Sequence, residues 1–139
     1  MKIFIVCSTS FYNRIDPIKR RLEEKGHILT MPNCYDDPIT NEDNKKMTDE
    51  EYYSFFKKMY EQSVKTIKEV DAILVLNYEK EKDGIVYENY IGASTFLEMY
   101  DAFMNGKKIY MLNGYPNNML YDEIKGFHPI LLEGDIEKI

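Results

Sequence analysis

Asp71-Ala72-Ile73-Leu74-Val75-Leu76-Asn77 decides the fold. Between its polar ends the run has no polar face, so it reads as a strand covered on both sides, as strands of a parallel sheet are. We place the central strand at residues 72–78. Working outward, Lys2-Ile3-Phe4-Ile5-Val6-Cys7 and Lys108-Ile109-Tyr110-Met111-Leu112 have the same character. Shorter strands are expected at residues 27–31 and 129–132.

Helical patterns fill the intervals. Asp16-Pro17 opens one helix, with proline in its first turn and Gly26 as its stop. Thr48-Asp49-Glu50-Glu51 is a capping box. Its helix runs to about Glu69, with Tyr52, Phe56, Met59, Tyr60, Ile67 and Val70 at helical spacing. A third long helix is expected over residues 94–105, with an apolar stripe of Phe96, Leu97, Tyr100, Phe103 and Met104. A turn and short helix are expected over residues 116–126. Residues 32–47 and the charged stretch 79–89 read as loops. Strands alternating with helices imply right-handed crossovers and a parallel sheet. The expected architecture is one α/β domain over residues 1–139. It is a flavodoxin/Rossmann-like three-layer sandwich with a five-stranded, mostly parallel sheet in the order 2-1-3-4-5.

Composition narrows the function. With 18 basic and 24 acidic side chains the formal net charge is −6, which argues against a nucleic-acid partner. No apolar run approaches the ~20 residues that span a bilayer, so no membrane partner is expected. Met1-Lys2-Ile3-Phe4-Ile5-Val6 reads as a strand rather than a signal peptide. Cys7 and Cys34 have neither metal-ligand spacing nor a disulfide framework, so we expect reduced thiols, a cytoplasmic setting and no metal. His27 and His128 have no patterned acidic partner.

In such sheets, ligands bind at the carboxyl ends of the strands near the switch point. That places residues 8–13, 77–89, 92–98 and 113–115 around one cleft, with Ser8, Thr9, Ser10, Tyr12, Asn77, Gly92, Ser94, Thr95, Glu98 and Asn113 as the candidate site residues. Glu98, expected in the first helical turn beside small polar residues, is a candidate nucleophile or acid/base. The alternative is a capping box, Thr95-x-x-Glu98, with the carboxylate folded back on the backbone. The Gly92-Ala93-Ser94-Thr95 run offers helix N–H donors to an anion, or serves only as a cap. Ser8, Thr9 and Ser10 suit a ligand loop or an ordinary turn, and Tyr12 a stacking surface or the core.

Residues 71–77, the Gly92…Thr95-x-x-Glu98 helix start and Gly106-Lys107-Lys108-Ile109-Tyr110-Met111-Leu112-Asn113 resemble the nucleoside 2-deoxyribosyltransferase superfamily. That group includes transferases and N-glycoside hydrolases acting on nucleosides and nucleoside 5'-monophosphates. The resemblance covers most of the chain in element order. It implies that Glu98 is the nucleophile and that the Ser8–Ser10 loop contacts sugar or 5'-phosphate. It further implies polar groups near Asn113 close to the site, a homo-oligomer (dimer or larger) and no cofactor. Two positions depart from the family pattern. Many members carry an aspartate eight residues before the acidic residue that opens the central strand, where this chain has Ser63. A small residue usually follows the glutamate two positions on, where this chain has Tyr100, expected to narrow the sugar pocket or repack the helix.

The expected function is cleavage or transfer at the N-glycosidic bond of a (deoxy)nucleoside or nucleoside 5'-monophosphate. The alternative is a non-catalytic nucleotide-binding or sensing module on the same fold. A flavodoxin-like electron carrier is a third reading, although the expected glycine- and threonine-rich phosphate loop is missing.

Overall fold

The computed structural model describes residues 1–139, the side chain of Asn41 excepted. Strand β1 (Lys2–Val6) leads through a 3-10 turn, Thr9–Arg14, into α1 (Ile15–Glu24) and β2 (Ile28–Thr30). Helices α2 (Asn41–Lys46) and α3 (Asp49–Glu69) precede β3 (Ala72–Val75). Strands β4 (Lys80–Lys82) and β5 (Ile85–Tyr87) come before α4 (Ala93–Met104) and β6 (Lys108–Met111). Then come α5 (Tyr121–Gly126), β7 (Ile130–Leu131) and a closing 3-10 turn, Ile136–Lys138.

The main sheet has five strands in the order β2-β1-β3-β6-β7, and every pairing in it is parallel. This is the expected 2-1-3-4-5 order, counting only the strands of that sheet. In register, Ile5 lies beside Leu74, and Leu74 beside Tyr110. Alternation along each strand sends side chains to two cores. Ile3 and Ile5 pack with Ile15, Ile18 and Leu22 of α1. Phe4 and Val6 face the other way, onto Ile67 of α3, Met99 of α4 and Ile124 of α5. Helices on both faces explain why residues 72–76 are apolar without interruption. Asp71 lies at the opposite edge from the cleft, where its Oδ2 accepts from the Lys2 N–H at 2.7 Å.

Three expectations are corrected here. Residues 79–89, read as a loop, contain the antiparallel hairpin β4–β5, with Lys80 opposite Tyr87. Its two-residue turn is Asp83-Gly84, both at positive φ, 53° and 75°. That is the turn chemistry a tight hairpin requires. Residues 32–47, also read as a loop, contain α2, whose Thr40 and Asp43 form a reciprocal capping box.

The third correction concerns α4. Apart from Phe96, the expected apolar stripe faces outward: Leu97 is 48% exposed, Tyr100 52% and Met104 63%. The face turned to the sheet is Thr95, Met99 and Ala102. Met99 is fully buried there, and Phe96 packs at the edge of the same core. Helix α3 also exposes aromatics. Tyr52, Tyr53 and Tyr60 are open, while Ser63 and Ile67 are the buried positions nearer its end. No helix is long and apolar enough to cross a membrane among the described residues.

Candidate active site

At the carboxyl edge of the sheet lies an open cleft of about 840 Å³. Five parts of the chain meet there: the loop after β1, the segment from Pro32 to Thr40, the middle of α3, the β4 strand and the start of α4. The size and mixed polarity fit a small-molecule site.

Helix α4 begins at Ala93 with Gly92 as its N-cap, and no side chain caps it. Thr95 is buried rather than capping. Glu98 therefore sits in the second turn, not the first. The Thr95-x-x-Glu98 capping box does not form, because the helix has already begun when the chain reaches Thr95.

Freed from capping, the Glu98 carboxylate meets α3. Ser63 Oγ donates to Glu98 Oε2 at 3.1 Å. Asn33 Nδ2 donates to Ser63 Oγ at 2.7 Å and also to the Met59 carbonyl at 3.1 Å. The Tyr12 hydroxyl donates to the Asn33 carbonyl at 3.0 Å. Tyr12, Asn33, Ser63 and Glu98 thus form a relay of supports running from the loop after β1 to the carboxylate. Ser63 occupies a position where its side chain reaches the glutamate, so the serine at that register is a direct partner.

The electrostatics single out Glu98. Burial pushes its carboxyl up to about 7, and the Ser63 hydrogen bond partly opposes the shift. The side chain keeps an edge in the cleft while protein atoms surround the carboxylate on most sides. Cys7 at the cleft floor is a poor nucleophile: burial, with a smaller push from Glu98, raises its thiol to about 12. Burial first, then the nearby Cys7 and Glu98, raises the Tyr12 hydroxyl well above its ordinary range. Among these groups Glu98 is the one with substantial ionised population near neutrality.

Of the other expected site residues, Ser8, Thr9, Ser10, Tyr12, Gly92, Ser94 and Thr95 line the cleft. Asn77 and Asn113 do not. Asn77 is fully buried; its Nδ2 donates to the Gly114 carbonyl at 2.8 Å and its Oδ1 accepts from the Asn113 N–H at 2.9 Å. Asn113 Nδ2 returns a bond to the Asn77 carbonyl at 3.1 Å. The two amides clamp the ends of β3 and β6. Tyr100 also stays outside the cleft. Its ring faces Phe127 with centroids 6.5 Å apart, so it does not narrow the pocket.

Sequence reading missed Asn33, and it put residues 77–89 at the cleft without singling out Lys80 and Lys82. Asn33 carries no signal, because its role depends on a contact 30 positions away. Lys80 and Lys82 had one: in Lys80-Glu81-Lys82 the period of two turns both lysines to one side, and Asp83-Gly84 marks the hairpin that aims them. Among the described residues no group of three or more His, Cys, Asp or Glu converges as a metal site would need.

The fold and cleft place the chain in the α/β class that binds ligands at the carboxyl edge of a five-stranded parallel sheet. Solved structures share this fold. The chain is similar to the CMP N-glycosidase of Clostridium botulinum at TM-score 0.55 and 18% identity, covering 96% of this chain and 90% of that one. It is similar to the 2-deoxyribosyltransferase of Bacillus psychrosaccharolyticus at TM-score 0.55 and 13% identity, covering 88% and 81%. At these identities the likeness is one of fold. No protein-family model matches the sequence, and no curated protein sequence matches it.

Proposed function

We propose that the protein cleaves or transfers at the N-glycosidic bond of a nucleoside or nucleoside 5'-monophosphate, with Glu98 as nucleophile. The observation that carries this reading is the cleft-facing Glu98 carboxylate, held by Ser63 at 3.1 Å and poised at about 7. The shared fold with a CMP N-glycosidase and a 2-deoxyribosyltransferase supports it.

In the first step a Glu98 oxygen bonds to the anomeric carbon as the C–N bond breaks. The bonding pair leaves with the base, which takes a proton from water. The positive charge that develops on the sugar is what a desolvated carboxylate stabilises best. Water or a second base then attacks the same carbon and releases Glu98, giving net retention. Ser63 holds the unreactive oxygen of the carboxylate and so fixes its direction. The Asn33 amide fixes Ser63 in turn. The process needs no cofactor.

The test is base release, followed by chromatography, from a panel of nucleosides, deoxynucleosides and their 5'-monophosphates, with and without a second base. Free base or exchanged nucleoside from wild type, abolished in Glu98→Ala, is the expected result. Binding without turnover, retained in Glu98→Ala, would contradict the reading and indicate a nucleotide-binding module.

A further inference from the structure

The chain carries a net charge of −6, yet β4 turns two lysines, Lys80 and Lys82, into the lining of the cleft. Neither makes an ion pair among the described residues; the carboxylates elsewhere engage Lys19, Arg20, Arg21, Lys25, Lys57 and Lys138. Lys80 is only half in water. Its Nζ donates to Ser8 Oγ at 3.3 Å and lies 4.6 Å from the centre of the Tyr90 ring. Neither neighbour carries charge. Burial and the nearby Lys82 both work against its charged form. A half-buried cation without a counter-ion is stabilised by an anionic ligand.

The surroundings suit a phosphate. The Tyr90 ring that carries Lys80 reaches to 3.6 Å from the position a Cβ would take at Gly92. Lysine, tyrosine and the uncapped start of α4 are therefore contiguous. Ser8 joins them from the loop after β1. Lysine supplies a mobile point charge, the hydroxyl a neutral donor, and the first N–H groups of α4 are unpaired by any side chain.

We propose that Lys80, presented by the β4–β5 hairpin, receives the phosphate of a nucleoside 5'-monophosphate and sets a preference for monophosphates over free nucleosides. This rests on the glycosidic reading of Glu98. Lys80 is a specificity determinant, remote from the bond that breaks. Lys82 adds to the field without the neutral cradle that Ser8 and Tyr90 give Lys80.

The test compares kcat/KM for paired nucleosides and 5'-monophosphates in wild type, Lys80→Met and Lys80→Arg. Wild type should favour the monophosphate by about 100-fold, since a charge-assisted contact discriminates strongly against a ligand that lacks it. Lys80→Met should reduce that ratio at least tenfold, and Lys80→Arg should keep most of it. Turnover with a ratio near one in wild type, or a ratio unchanged in Lys80→Met, overturns the inference and leaves the glycosidic reading standing. If wild type turns over nothing, the glycosidic reading fails, and calorimetry decides the anion site separately. Monophosphate binding at least tenfold tighter than nucleoside binding, lost in Lys80→Met, supports it. Equal binding of the two ligands overturns it.

Discussion

Two polar clusters sit at the carboxyl edge of the same sheet and behave in opposite ways. In the Asn77–Asn113 clamp Asn77 is fully buried and Asn113 half-buried, and the two amides exchange bonds of 2.8 to 3.1 Å with the backbone that follows β3 and β6. The Ser63–Glu98 couple faces a cleft, and a single side-chain bond of 3.1 Å reaches the carboxylate. Satisfied polar groups hold a fold together; a carboxylate held out of water beside a cleft has a raised pKa, as groups at reactive sites often do. The sequence places both clusters at strand or helix ends with similar polar residues. Only their partners tell them apart.

Removing the carboxylate should have the largest effect. Glu98→Gln should lower base release by about 1,000-fold or more, the scale expected when a covalent nucleophile is lost. It should not lower the melting temperature, because a neutral amide in that place costs less to bury than a carboxylate. A variant that unfolds more readily yet turns over normally would reverse the assignment of the two clusters.

The mirror experiment is Asn77→Ala. It leaves the Gly114 carbonyl and the Asn113 N–H without their partner, which should cost about 2–3 kcal/mol of unfolding free energy. Chemical denaturation reads that loss. If turnover by the folded fraction fell as far as in Glu98→Gln, Asn77 would belong to the site after all.

Linkage gives a third contrast. The folded-state pKa of Glu98 is raised to about 7 from an ordinary 4.5, so the native state holds a proton that the unfolded state has released. The contribution is fully present below pH 4.5 and is lost as pH rises through about 7. Stability measured against pH should therefore fall across that window by up to ~3 kcal/mol, and Glu98→Gln should flatten the slope. Activity should run the other way. The nucleophile must be ionised, so kcat/KM should climb with pH and level off above about 7.

The smallest expected effect belongs to Ser63→Ala. Losing its bond removes the one influence that lowers the Glu98 pKa, so the acid limb of the pH profile should move upward. The plateau should drop by about tenfold as the carboxylate loses its orientation. A change in plateau with no shift of the limb would show that Ser63 acts elsewhere.

The fold was legible because burial on both faces writes itself into consecutive residues. Ile3–Val6 and Ala72–Leu76 are apolar without a break, and the sheet order follows from alternation and handedness. The hairpin was hidden because three-residue strands such as Lys80–Lys82 carry no hydrophobic run, and its Asp83-Gly84 turn was the sign to weigh. The α4 stripe misled because periodicity reports that a helix has an apolar face, not which face meets the sheet. Thr95, Met99 and Ala102 are the ones that fit there. Most residues of the cleft were legible from topology: Ser8 to Ser10, Tyr12, Gly92, Ser94, Thr95 and Glu98 line it. The support beneath Glu98 was not, because Asn33 and Ser63 meet it only through tertiary contacts.

The proposed chemistry rests on one assignment, that Glu98 is a cleft carboxylate whose pKa burial has raised. Its most direct test is a carbon-13 NMR titration of the glutamate carboxyls, with Glu98→Gln to assign the resonance. The resonance missing from the variant should titrate with a midpoint near 7. A midpoint near the ordinary glutamate value of about 4.3 would contradict it, leaving Glu98 a well-solvated carboxylate with no special standing in the cleft.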